Sequence, residues 1–148
     1  MKRLIALTLS LLFISISYAG SIIEGNEWKI KRAASILSTE IIKRAEPITI
    51  SDEPCNRCHK TEVRAIKVSF DGFTDIRGRK TNDTEAFSDE FRKQLICEEH
   101  SILFRKDSEL RIVGMLIPFK GRQKWRFTIR LLRGDSPVAS YEGIIISR

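Results

Sequence analysis

The chain has 148 residues, with 26 Lys and Arg against 19 Asp and Glu, for a formal charge of +7. Hydrophobic residues make up 42% and charged residues 30%, which excludes a disordered or collagen-like chain. At this length one domain is expected and a full α/β barrel is excluded.

The N-terminus reads as a targeting segment. Lys2 and Arg3 are followed by a nearly unbroken apolar run, Leu4 to Ile16, and then by Ser17-Tyr18-Ala19. That is the layout of a cleaved secretory signal peptide over residues 1–19. The run is short against the roughly 20 residues a membrane span needs, and no Cys follows it to accept a lipid. The expectation is an exported, periplasmic domain, 20–148, with no transmembrane anchor after cleavage.

Trp28 to Glu46 carries an amphipathic helix. Ile30, Ala34, Leu37, Ile41 and Ala45 share one face, the charged residues take the other, and Pro47 ends it. A connector over 47–61 holds Cys55-Asn56-Arg57-Cys58-His59, the C-x-x-C-H string of covalent haem attachment. Two thiols at this spacing can bond the haem vinyl groups, and His59 can ligate the iron. The polar flanks, Ser51-Asp52-Glu53-Pro54 and Lys60-Thr61-Glu62, are unlike a haem pocket. A sixth ligand would have to come from Met115 or His100. In an oxidising compartment the simpler reading is a disulfide among Cys55, Cys58 and Cys97, with one thiol left over. Zinc lacks a second pair of ligands.

The core begins at residue 62. Ile66, Val68 and Phe70 alternate with Lys67 and Ser69 as a strand over 62–73, broken at Asp71-Gly72. A polar loop with Arg77, Arg79 and Lys80 around Gly78 follows. A second helix runs from about Asp83 to Cys97, capped by Asn82 with Glu85 in the capping-box position and striped by Phe87, Phe91 and Leu95. Strands are expected at 102–104, 110–119, 123–132 and 138–146, with Gly114 and Pro118 marking a bulge or an edge. In the third of these, Trp125, Phe127, Ile129 and Leu131 share one face and Lys124, Arg126, Thr128 and Arg130 the other. The fold class is α+β, with two helices on one face of a mostly antiparallel sheet of four to five strands.

From Glu62 onward the chain resembles the small envelope α/β domains of bacteria: the TolB N-terminal domain, the curli exporter CsgG, the flagellar FlgO group, and the LpoB-type activators of penicillin-binding proteins. The carrying pieces are Ile66-Lys67-Val68-Ser69-Phe70, Phe87 to Leu95, Leu110-Arg111-Ile112-Val113-Gly114, and Trp125 through Gly134. The helix over 28–46 is placed like the first helix of the LpoB type. The resemblance implies a fold and a place in the cell envelope. LpoB-type activators are lipoproteins, whereas this chain lacks the lipid-accepting Cys, and it has no room for the long hairpins of a CsgG-like pore.

Enzyme signatures are missing from the sequence. It has no G-x-S-x-G and no Gly-rich phosphate loop. Asp89-Glu90 and Glu98-Glu99 are adjacent pairs that point in different directions on a helix. Nothing positions Cys58 and His100 as a nucleophile pair, and Cys55 precedes a strand, unlike a redox C-x-x-C. Arg133-Gly134-Asp135 lies where a hairpin turn needs those residues. What remains is a basic surface: Lys124, Arg126 and Arg130 with Arg122 at one strand end, and the Arg77, Arg79 and Lys80 loop. It suits an envelope protein or an anionic envelope component; export disfavours nucleic acid. The expected role is a non-catalytic binding or regulatory module without a cofactor. The alternative is a monohaem c-type electron-transfer or redox-sensing protein built on Cys55, Cys58 and His59.

Overall fold

The structure, a computed structural model, describes residues 22–46, 48–50, 63–95, 101–120 and 123–147. Residues 1–19, where a signal peptide is expected, and Cys55, Cys58, His59, Cys97, His100 and Arg122 lie outside the described residues.

The chain runs α1 (Glu27–Arg44), β1 (Ile48–Ile50), β2 (Val63–Thr74), α2 (Asn82–Gln94), β3 (Ser101–Phe104), β4 (Leu110–Pro118), β5 (Lys124–Arg133) and β6 (Ser136–Ile146). The strand path is β1-β2-β4-β5-β6, and β3 adds a short ladder to β2. β1–β2, β4–β5 and β5–β6 are antiparallel, while β3 and β4 run parallel to β2. This is the expected α+β arrangement. The connector strand β1 is an addition that its three residues were too short to signal.

Helix α1 stops before Pro47, since the residue preceding a proline is pushed out of the α region; Ala45 is already extended. Its buried face is Ile30, Ala33, Ala34, Leu37, Ser38 and Ile41. Helix α2 starts one residue earlier than its Asn82 suggested. Thr81 is the N-cap, its side chain accepts from the Thr84 backbone, and the Thr84 hydroxyl accepts from the Thr81 backbone. A threonine at both ends of this box satisfies two amides without Glu85.

Both helices pack on one face of the sheet, and aromatic rings fill the layer between. Phe73 meets Phe87 edge-on with centroids 4.6 Å apart and Phe91 at 5.5 Å, and Phe87 contacts Phe127 at 5.2 Å. The irregularity expected near Gly114 sits instead in β2, between Phe70 and Phe73. Gly114 is regular strand, and it provides a socket: a Cβ there would lie 2.6 Å from the Phe73 ring. Ser88 of α2 holds the irregular segment, accepting from the Phe73 amide at 2.7 Å and donating to the Thr84 carbonyl at 2.5 Å.

Helix α1 also closes the β6 edge. Lys29 Nζ donates to the Ile144 carbonyl at 2.8 Å, and an Arg44 guanidinium nitrogen donates to the Val138 carbonyl at 3.1 Å. The helix therefore runs antiparallel to β6 and covers acceptors that an edge strand would otherwise leave open. Asn26, 3% exposed, ties the segment before α1 to the end of β6. Its Nδ2 donates to the carbonyls of Ile22 at 3.2 Å and Ile146 at 2.7 Å.

Candidate functional site

The side of the sheet opposite the helices carries no element of the described chain. Strict alternation in β4 and β5 decides which residues point there. Along β4 the inward positions Leu110, Ile112, Gly114 and Leu116 are buried, so Arg111, Val113, Met115 and Ile117 face outward. Along β5 the inward positions Phe127, Ile129 and Leu131 are buried, so Lys124, Arg126, Thr128, Arg130 and Leu132 face outward.

The strand register sets these side chains in rows. Val113 lies opposite Arg130, Met115 opposite Thr128, and Ile117 opposite Arg126. On the other flank Arg130 faces Ser140, Thr128 faces Glu142, Arg126 faces Ile144, and Lys124 faces Ile146. A basic column along β5 thus runs between an apolar column on β4 and an apolar end on β6. Val113 is 41% exposed, Ile144 50% and Ile146 46%, so the apolar side chains stand in water. Glu142 is the only carboxylate among the outward residues of β4, β5 and β6, against Arg111, Lys124, Arg126 and Arg130. It approaches Arg126 at 3.6 Å, with both side chains about half exposed. Such a pair contributes little in water and leaves Arg126 available.

The chain is similar to the LpoB C-terminal domain. The domain from Salmonella enterica shares 7% identity at a TM-score of 0.47, covering 80% of this chain and 98% of that one. The domain from Escherichia coli shares 9% identity at a TM-score of 0.41, with the same coverage. No protein-family model matches the chain, and no curated protein matches it.

The structure divides the expected basic residues into two places. Lys124, Arg126 and Arg130 share the outer face; Arg77, Arg79 and Lys80 occupy the loop that leaves β2, which β4 separates from β5. That loop is built around Asp75. The carboxylate accepts the backbone amides of Arg77 and Arg79, both at 2.8 Å, and pairs with the Arg79 guanidinium at 2.9 Å. The Arg79 amide, its guanidinium and the Arg77 amide hold the Asp75 carboxyl below the ordinary carboxylate range. Arg79 is therefore committed within the loop. Arg133, at the far end of β5, donates to the Arg44 carbonyl and pairs with Glu109 at 3.2 Å, so it too is structural.

Other polar groups are similarly engaged. Glu40 is held below its usual range by Lys43 and Arg44 of its own helix. Asp89 pairs with Arg92, and Glu90 accepts from Gln94 and faces Lys93 at 3.8 Å. Among the described residues no group of His, Cys, Asp and Glu could hold a metal ion, and no helix is long and apolar enough to cross a membrane. Met115 is half-buried in mid-strand on the outer face. Sequence periodicity identified the cations of β5. It missed the apolar columns beside them, because these depend on which strands are neighbours.

Proposed function

We propose that the chain is an exported, non-catalytic binding or regulatory module of the bacterial cell envelope. It recognises an acidic protein surface or another anionic envelope component through the outer sheet face. One observation carries this reading: the helices lie on one face of the sheet, and on the other no described element covers Arg126 and Arg130, which are exposed along β5. A cationic array on a rigid sheet steers and orients an anionic partner without reordering itself. The resemblance of the run from Glu62 onward to the small envelope α/β domains of bacteria supports the compartment.

Replacing Lys124, Arg126 and Arg130 together by Glu tests the surface. These side chains point away from the core, so the variant should keep its circular dichroism and melting temperature. Capture of its partner from envelope extract should fall by at least about tenfold, and capture by the parent chain should weaken with salt. A partner list unchanged by the charge reversal would remove this face from consideration.

The haem alternative at Cys55, Cys58 and His59 rests on the sequence string alone. The intact mass of protein purified from a host that matures c-type cytochromes decides it. An addition of one haem, with a Soret band, would replace the present reading. A loss of two hydrogens would place a disulfide among the three cysteines.

A further inference from the structure

The open face is chemically more selective than a basic patch, and its pattern specifies a class of partner. We infer that this face takes an amphipathic α-helix of a partner protein that carries carboxylates along one flank; this rests on the reading of the face as the binding surface.

The argument starts from the columns. Val113, Met115 and Ile117 form an outward apolar line along β4. Arg130, Thr128 and Arg126 stand directly opposite them on β5. Neighbouring strands are about 4.8 Å apart, and a helix with its side chains is about 10 Å wide. One helix laid along β4 therefore reaches the β5 column with one flank. The line from Val113 to Ile117 spans about 14 Å at strand rise, which is about two and a half helical turns. Apolar residues at i, i+3 or i+4, and i+7 would follow it.

Charge then sets the flank. Arg126 and Arg130 lie on the β5 side, and Glu142 lies one strand further away, opposite Thr128. Asp or Glu on the flank turned toward β5 would meet the two guanidinium groups. The same helix would cover Val113, which is 41% exposed without it.

The apolar line is what excludes the other anionic ligands. A polyanionic glycan would pair with Arg126 and Arg130 and leave Val113, Met115 and Ile117 facing polar groups. A flat lipid headgroup layer would do the same. A helix satisfies both columns at once.

In-cell photocrosslinking in the native host tests this. A benzophenone amino acid replaces Met115 in one version of the full-length chain and Arg130 in another. The expected result is a protein adduct from both positions. The peptide attached at 115 should show apolar residues at i, i+3 or i+4 and i+7, with Asp or Glu on one flank. Adding Val113→Asp should lower the adduct from position 130 by at least about tenfold, since it puts a carboxylate in the apolar line. An adduct at 130 alone, an adduct to glycan or lipid, a peptide without that pattern, or a yield indifferent to Val113→Asp would each overturn the inference while leaving the basic face in place as a binding surface. No adduct from either position would remove both.

Discussion

Gly114 is a glycine because of Phe73. The ring occupies the space a Cβ would need, with the nearest ring atom 2.6 Å from that position. Gly114→Ala should therefore destabilise the fold by about 1–3 kcal/mol, the range for overpacking a well-filled core, measured as a lower urea midpoint with unchanged slope. Sequence periodicity gave no hint of this. A glycine within an apolar strand is compatible with a bulge or with a close approach, and only the packing tells them apart. Asp75 is a second residue whose role is local. Its ionised form is favoured by the fold, so its contribution is present above the ordinary carboxylate pKa, about 4, and is lost as pH falls through the lower folded value. In Asp75→Ala the amides of Arg77 and Arg79 lose their acceptor, and their hydrogen exchange should accelerate at neutral pH. Exchange rates equal to those of the parent would show that the loop is held by other means.

At the scale of elements, the two helices and most of the strands were legible because each is long and periodic. The helix over 28–46 and the strand over 123–132 differ from α1 and β5 by one or two residues at their ends. Helix α2 ends at Gln94, earlier than the expected Cys97, with Leu95 as its C-cap. What could not be read was how elements meet. The use of Lys29 and Arg44 as covers for the carbonyls of Ile144 and Val138 joins residues 115 and 94 apart in the chain. On a helical wheel both look like ordinary solvated cations. Replacing both by Met keeps the aliphatic stems and removes the donors. The double variant should lose about 1–3 kcal/mol for two such bonds. It should also associate at high concentration through the uncovered β6 edge, which sedimentation velocity would detect. A fully monomeric variant of parental stability would show that these side chains guard nothing.

The described residues form two layers, helices on the inner face of the sheet and no described element on the outer one. Among the described residues the fully buried phenylalanines, Phe73, Phe87, Phe91 and Phe127, lie in the inner layer. The cations of β5 and the apolar line of β4 stand on the other side. Half of the candidate site, the Lys124, Arg126 and Arg130 series, follows from alternation alone. The other half depends on β4 lying beside β5 in a definite register, a long-range property. Reversal of the β5 cations and the charge inserted at Val113 probe these two halves separately.

Asn26 has a consequence for how the molecule can be made. It is buried against the carbonyl of Ile146, 120 residues later, next to the start of α1. Synthesis delivers α1 first, yet the carbonyl that anchors its beginning arrives only with the end of β6, after every other described element. A nascent chain that stops short of Ile146 lacks this bond between the start of α1 and the end of β6. It should stay open to proteases on a stalled ribosome until the final strand is released, and then become resistant in one step.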